Sequence, residues 1–328
     1  MRSRLEWRKA RVVEVRTIAE NVRAVTFAVE GLRAGFDPGS HTNIRVQING
    51  EPAIRTYTVV PGPPGTLSIA VKLHPNSRGG SAFIWQLQPG DDIEVTEPEN
   101  RFELSWRASR YLLIAGGIGI TPIYGMAKTL ASRGQKLRLV YAAKNRRQMA
   151  FFDELGALLG DRLQAFAQDD GEALDLDAEF AALPPDGEAY VCGPLGLLEA
   201  ARQAWQKSGR SMSRLRYEVF GDNGRFAEQA FDVEVPQLGA SIRVRADQSM
   251  LDVLVEAGVG MVFDCRRGEC GLCAVSIVEA DGVIDHRDVF FSEAERQENS
   301  RMCTCVSRAC GGRIVIDTGY RPDIAAAE

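Results

Sequence analysis

Near its C-terminus the chain reads Cys265-Arg-Arg-Gly-Glu-Cys270-Gly-Leu-Cys273, a C-x4-C-x2-C string. Six of the seven cysteines (Cys265, Cys270, Cys273, Cys303, Cys305 and Cys310) fall in the last 64 residues, and Cys192 stands apart. An odd cysteine count with no export signal argues against a disulfide framework. The spacing is the one that wraps a loop around a plant-type [2Fe–2S] cluster, with a distant fourth thiolate on the second iron. Soft thiolates suit iron in both redox states. Gly268 and Gly271 fit the same reading, because a loop closing over a cluster needs tight turns and backbone N–H groups near sulfur. Structural zinc is the competing reading, but it normally shows two C-x2-C pairs, and here one pair is preceded by a four-residue gap. Spacing leaves the fourth ligand open among Cys303, Cys305 and Cys310. Residues two apart on a strand share a face, so strand parity does not separate Cys303 from Cys305.

At about 150 residues per domain, 328 residues suggest two or three domains. An apolar fraction of 45% and a charged fraction of 25% exclude a disordered chain. The net charge of −5 argues against a nucleic-acid partner. Met1 to Arg8 is basic but lacks the apolar run of a signal peptide. The stretch from Tyr111 to Ile123 holds three glycines and a proline, and is too short for a bilayer span of about 20 residues. The expected location is therefore cytoplasmic, with no membrane partner.

Hydrophobic periodicity divides the chain in three. From Val22 to about Val95 apolar residues alternate, as in Val25, Phe27, Val29 and Ile44, Val46, Ile48. Short alternating strands with Gly, Pro and Asn punctuation suggest an antiparallel barrel or sandwich. From Arg110 the pattern changes. Tyr111 to Ala115 is continuously apolar, as in a strand buried on both faces. Helices are expected at 122–132, 149–159, near 176–183 and at 195–208. Strands are expected at 137–142, 162–167, 188–192 and 214–220. This alternation implies a parallel sheet with crossover helices. The polar segment 221–230 reads as a linker. A hairpin, 231–235 with 241–246, and a helix over 249–257 precede the cysteines. No internal repeat is visible.

Four shorter strings carry chemistry. Arg55-Thr-Tyr57-Thr58 opens a barrel strand; alone, such a tetrapeptide is more often a surface. Arg78-Gly79-Gly80-Ser81 reads as two glycines and a Ser N-cap opening a short helix, a plausible anion site. Gly116-Gly117-Ile-Gly119-Ile-Thr121-Pro122 follows a buried strand and opens a helix, the context of a dinucleotide phosphate loop. It is not the dehydrogenase fingerprint, since Pro122 stands where G-x-G-x-x-G needs glycine. Cys192-Gly193-Pro194 lies at a strand end; a lone strand cysteine is more commonly just buried. Lys144, Arg146 and Arg147 could hold a 2′-phosphate or form a solvated loop.

Together these strings resemble the phthalate dioxygenase reductase family over nearly the full length. The resemblance implies a multidomain protein. An antiparallel β-barrel flavin domain would occupy 1–106, an α/β parallel-sheet nucleotide domain 107–224, and an α+β β-grasp ferredoxin domain 225–328. It implies FMN, rather than FAD, held by Arg55 and by Arg78, Gly80 and Ser81 at the phosphate, with Tyr57 and Thr58 at the isoalloxazine. The glycine string also matches the Gly-Gly-x-Gly-x-Thr-Pro of ferredoxin–NADP reductase-like enzymes. This implies a nicotinamide site made by Gly116, Gly117, Gly119, Thr121, Cys192, Gly193 and Pro194, with NADH the usual cofactor. Tyr217-Glu218-Val-Phe220 resembles the family's Glu-x-Phe ending, with Phe220 near the flavin. Cys305-Val-Ser-Arg matches the family string whose first residue is a ligand, so the implied set is Cys265, Cys270, Cys273 and Cys305. Cys303 and Cys310 would then be extra thiols. Asp285-His286-Arg287-Asp288 also matches, with a structural role for His286.

The three sites belong together chemically. NADH gives a hydride, a [2Fe–2S] cluster takes one electron, and a flavin converts between them, the protein supplying position and tuning. No Ser-His-Asp set is present, and the histidines are His41, His74 and His286. The implied acceptor is a Rieske-type non-haem iron oxygenase, met transiently. The alternatives are a P450 or diiron oxygenase acceptor, or a non-enzymatic redox carrier or sensor.

Overall fold

The computed structural model describes all residues except 1–5, 33–34, 49, 74–78, 221–225, 227, 247, 267 and 320–328. Arg78, His74 and most of the 221–230 linker therefore lie outside the described residues. The chain forms two compact units, 1–220 and 221–328.

The first unit opens with seven antiparallel strands. They are β1 (Trp7–Ala19), β2 (Val22–Val29), β3 (Ser40–Ile48), β4 (Glu51–Val60), β5 (Thr66–Lys72), β6 (Asp92–Thr96) and β7 (Glu99–Asn100), with helix α1 (Gly80–Gln86) between β5 and β6. The order is β4-β5-β2-β1-β6-β3-β7, and pairing of β3 with β4 closes it into a barrel. Val25, Phe27, Ile44, Leu67, Ile69 and Val95 are wholly buried inside, and Ile84 of α1 plugs the interior. The alternation thus fixed the inner face, but the outer face is not all solvated. Ala24, Thr26, Ser68 and Ala70 on β2 and β5 are buried too, with the Thr26 and Ser68 hydroxyls 2.9 Å apart and satisfying each other. Val22, Val60 and Ala70 belong to the core of the next domain.

That domain is a parallel sheet of β8 (Tyr111–Gly116), β9 (Leu137–Ala143), β10 (Leu163–Ala167), β11 (Glu188–Gly193) and β12 (Leu215–Val219), in the order β10-β9-β8-β11-β12. Its helices are α2 (Ile120–Ser132), α3 (Phe152–Leu159), α4 (Leu176–Ala181) and α5 (Leu195–Lys207). Period two sends successive β8 residues to opposite faces. Tyr111, Leu113 and Ala115 join the core under α2 and α3, while Leu112 and Ile114 join Phe180 and Trp205 under α4 and α5. The helix expected over 149–159 begins only at Phe152. Phe151 is left-handed (φ 59°), and its ring stacks on Tyr124 at 4.2 Å. The apolar residues Met149 and Ala150 are core without being helix.

The second unit has a five-stranded sheet of β13 (Phe231–Val235), β14 (Ala240–Val244), β15 (Ala274–Ala280), β17 (Arg301–Cys303) and β19 (Arg313–Asp317). Its order is β14-β13-β19-β15-β17, with β13 and β19 parallel. The two-residue strands β16 (Ile284–Asp285) and β18 (Arg308–Ala309) pair separately. Helix α6 (Met250–Glu256) starts at Ser249, whose hydroxyl accepts the Asp252 amide at 3.1 Å. Helix α7 (Glu293–Glu298) starts in a Ser292–Glu295 capping box. Arg287 ties Asp285 (2.8 Å) to Glu228 (2.9 Å), all three side chains being largely buried. Among the described residues no helix is long and apolar enough to cross a membrane.

Candidate functional site

The parallel sheet reverses its strand order between β8 and β11, since β9 lies on one side of β8 and β11 on the other. In open α/β sheets the crevice at the carboxyl ends of such a pair is where ligands bind. The two glycine-bearing strings end there and touch backbone to backbone. A Cβ on Gly193 would lie 2.9 Å from Gly116 Cα, and one on Gly119 would lie 2.2 Å from the Cys192 carbonyl oxygen. Gly117 has φ 55° and has nothing within 4 Å of an added Cβ, so it leaves open space at the crevice. Thr121 is buried, and its hydroxyl donates to the Ile118 carbonyl at 3.1 Å. Pro194 caps α5 with extended geometry. Cys192 is fully buried.

On the barrel, Arg55 and Tyr57 share one face of β4. The absent Gly80 side chain is what lets Arg55 in: a Cβ there would lie 2.8 Å from Arg55 Nε. The arginine and the Gly-Gly-Ser string are therefore in contact. The cap differs from expectation. Gly79, at φ 99°, is the N-cap of α1 and makes no side-chain capping bond, and Ser81 falls inside the first turn. Only glycine takes that conformation without strain, so the helix starts two residues earlier than a Ser81 cap would place it. Tyr57 is half-buried against the barrel core, and burial pushes its phenol well up from the ordinary value.

Thr58 leads to a feature that the strings did not disclose. Opposite it on β3 is His41, whose Nε2 lies 3.3 Å from Thr58 Oγ1 and 2.7 Å from Glu218 Oε1. All three are more than nine-tenths buried. Glu218 pairs with Cys192 across β12 and β11, and residues so paired project from the same face. Phe220, half-buried, packs on the same core. A buried carboxylate needs a partner, and a charged residue inside the strand 214–220 was the signal available in the sequence. The partner, far away on the barrel, was not readable.

In the second unit, the cysteine loop and the turn after β17 face each other. Cys265 Sγ accepts the Glu269 and Cys270 amides, both at 3.4 Å. Gly268 (φ 73°) and Gly271 (φ 71°) are left-handed; a Cβ on Gly268 would meet Val306 at 2.6 Å, and one on Gly271 would meet the Phe290 ring at 2.3 Å. Cys273, Cys303 and Cys305 are buried together with Leu251 and Phe291. The Cys303 and Cys305 thiols donate toward Cys273, drawing its pKa down and pushing their own up. Because β17 ends at Cys303 and Cys305 lies in the following turn, the two do not share a strand, and the parity argument does not apply. Cys270 is half-exposed in the loop, and Cys310 follows β18 half-buried. Among the described residues no group of three or more His, Cys, Asp or Glu side chains is arranged to hold a metal ion. The fit to an iron–sulfur cluster lies in the thiol donor set and in the amides aimed at sulfur. His286 hydrogen bonds to Asn299 at 2.9 Å.

A barrel with an arginine seated on a Gly-Gly helix start, a parallel sheet with a glycine-lined crevice, and a cysteine loop on a β-grasp sheet define a flavin- and nicotinamide-dependent iron–sulfur oxidoreductase. Comparison agrees domain by domain. Residues 9–104 match the oxidoreductase FAD-binding domain, 113–203 the oxidoreductase NAD-binding domain, and 233–310 the 2Fe-2S iron-sulfur cluster binding domain. The chain belongs to the phthalate dioxygenase reductase family of oxygenase reductase components. It is 34% identical over 317 residues to the putative toluene-4-sulfonate monooxygenase system reductase subunit TsaB2 of Comamonas testosteroni, covering 93% of this chain and 97% of that one. It is similar in structure to phthalate dioxygenase reductase, with TM-score 0.75 and 30% identity over 95% of this chain and 98% of that one. It also matches an intact type IV self-sufficient cytochrome P450 monooxygenase at TM-score 0.66 and 32% identity. That match covers 94% of this chain but 41% of the P450 chain, so the chain spans about two fifths of that protein.

Proposed function

We propose that this protein passes electrons from NADH through FMN to a [2Fe–2S] cluster, and on to a Rieske-type oxygenase that it meets transiently in the cytoplasm. The observation that carries the reading is the meeting of Gly116, Gly119, Cys192 and Gly193 at the strand-order reversal, in the same compact unit as Arg55 and Gly80. Bound flavin supplies the exchange between a two-electron hydride and single electrons. Arg55, with Gly80 and Ser81 and by resemblance Arg78, would hold the flavin phosphate. Tyr57, Thr58 and Phe220 would line the ring. Gly116, Gly117, Gly119, Thr121, Cys192, Gly193 and Pro194 would form the nicotinamide crevice. His41 and Glu218 hold Thr58 and the end of β12 together beside Cys192, which keeps the two cofactor sites in register. Cys265, Cys270, Cys273 and Cys305 would hold the iron.

NADH rather than NADPH is supported by the loop after β9. Arg146 is engaged by Glu172 (2.8 Å) and Asp170 (3.4 Å), Arg147 by Glu20 (3.3 Å), and Asn145 by Asp169 (3.3 Å). A 2′-phosphate there would meet carboxylates, which suit a ribose 2′-hydroxyl instead. The similarity to a P450 fusion supports a second reading, in which the acceptor is a haem oxygenase. The test is anaerobic addition of NADH to the purified holoprotein. Loss of flavin absorbance together with a reduced [2Fe–2S] electron paramagnetic resonance signal is expected, followed by NADH-driven turnover of an added Rieske oxygenase. A colourless zinc protein, or one that reduces neither cytochrome c nor ferricyanide with NADH, would overturn the reading. Turnover with a P450 alone would favour the haem acceptor.

A further inference from the structure

Asp288 follows β16 and is wholly buried. Its Oδ1 accepts the Ser307 hydroxyl and its Oδ2 the Phe291 amide, both at 3.0 Å. The His286 ring stands at 3.8 Å, beyond hydrogen-bond reach. Two further contacts brace this residue against both halves of the cysteine set. On the loop side, the Val289 amide donates to the Gly268 carbonyl at 2.9 Å, and a Cβ on Gly268 would lie 2.7 Å from Asp288 Cα. On the turn side, the Ser307 amide donates to the Cys303 carbonyl at 3.0 Å.

The neighbouring buried carboxylate, Asp285, is bridged by Arg287 at 2.8 Å. Among the described residues Asp288 has no such lysine or arginine bridge, and Arg296 acts on it only through space. Burial by itself would raise its pKa, but the nearby His286 ring, the Phe291 amide, the Ser307 hydroxyl and the Arg296 charge together outweigh it and hold the group below its ordinary value. A buried charge is poorly screened by solvent and salt. A cluster that gains an electron becomes more negative, so a fixed negative charge beside it opposes that gain.

We propose that Asp288 is a tuning residue whose buried carboxylate lowers the reduction potential of the cluster held by Cys265, Cys270, Cys273 and Cys305. The inference rests on that ligand set. Asp288 acts on the cluster through its charge and is not itself a ligand. A lower potential makes the reduced cluster a more willing one-electron donor to the acceptor.

The test is a dithionite titration of the full-length holoprotein with mediators, followed by electron paramagnetic resonance. Asp288→Asn removes the charge and keeps the shape. At the ambient potential where the wild-type cluster is half reduced, the variant's ratio of reduced to oxidised cluster should be about tenfold higher, an upward shift of about 59 mV for a one-electron couple. A normal signal with less than a twofold change in that ratio overturns the proposal. Should the asparagine variant not retain its cluster, Ser307→Ala decides. It keeps the carboxylate but removes one donor, so the midpoint should fall, and an unchanged or raised midpoint overturns the proposal. The ligand reading fails separately, if the wild type shows no [2Fe–2S] signal or if Cys305→Ser keeps a normal one.

Discussion

Adding one methyl group at Gly119 should cost more than its size suggests. The residue sits at φ −59°, ψ −6°, where alanine is comfortable, so backbone strain is not the issue. The methyl would lie 2.2 Å from the Cys192 oxygen, 2.5 Å from its carbonyl carbon and 2.7 Å from the Gly193 nitrogen. Real Cβ atoms do not approach closer than 3.0 Å, so the end of β11 or the start of α2 must move by at least 0.8 Å. Overpacking of this kind costs about 1–3 kcal/mol. For a unit of this size each kcal/mol lowers Tm by roughly 2–4 °C. The displaced atoms belong to the proposed nicotinamide crevice, where a shift near 1 Å can lower kcat/KM roughly a hundredfold. Gly119→Ala should therefore lose thermal stability in the first unit and use NADH poorly while keeping its flavin. Gly156→Ala is the control. It lies in α3 with nothing within 4 Å of the added Cβ, and helix propensity favours alanine there by about 0.8–1 kcal/mol. Scanning calorimetry and NADH–ferricyanide kinetics read both. A Gly119→Ala protein as stable as Gly156→Ala, with unchanged KM for NADH, would refute the close-packing argument.

Cys305→Ser should lose or strongly alter the reduced cluster signal, while Cys303→Ser and Cys310→Ser keep it; the reverse for the first two would move the ligand to the end of β17. Arg55→Ala removes a charge-assisted contact of about 1.5–3 kcal/mol, so FMN affinity followed by flavin fluorescence should fall at least tenfold with the cluster intact. Unaltered retention would show that the arginine does not serve the phosphate. Arg287→Met leaves Asp285 buried without its partner, a loss of about 3–5 kcal/mol, and the melting transition of the second unit should drop well below that of the first. A chain ending at Phe220 should fold, hold flavin and reduce ferricyanide with NADH but reduce cytochrome c poorly; loss of the flavin would place the boundary elsewhere.

How much of this was readable from the sequence depends on the range of the force involved. Tyr111 to Ala115 announced a doubly buried strand because both faces are apolar, and the cysteine spacing announced its loop because ligation is local. Features set by distant partners were not readable. Val22, Val60 and Ala70 lie on barrel strands, yet they belong to a core shared with the nucleotide domain, which the alternation alone did not reveal. Met149 and Ala150 looked helical because they are buried, although left-handed Phe151 delays the helix. Ser81 looked like a cap, whereas Gly79 could take φ 99°. Glu218 is charged within a buried strand, and only the fold supplies His41.

The core shared by Val22, Val60, Phe102 and Leu104 of the barrel with Ile120, Ile123 and Tyr124 of α2 has an evolutionary corollary. Recombination that replaced the barrel alone would set foreign side chains against α2 and break one apolar interior into two poorly filled ones. The hydride-handling half should therefore be inherited and transplanted as a single block of about 220 residues. The iron–sulfur half has its own interior, so exchanging it at the boundary near residue 220 would leave both interiors whole.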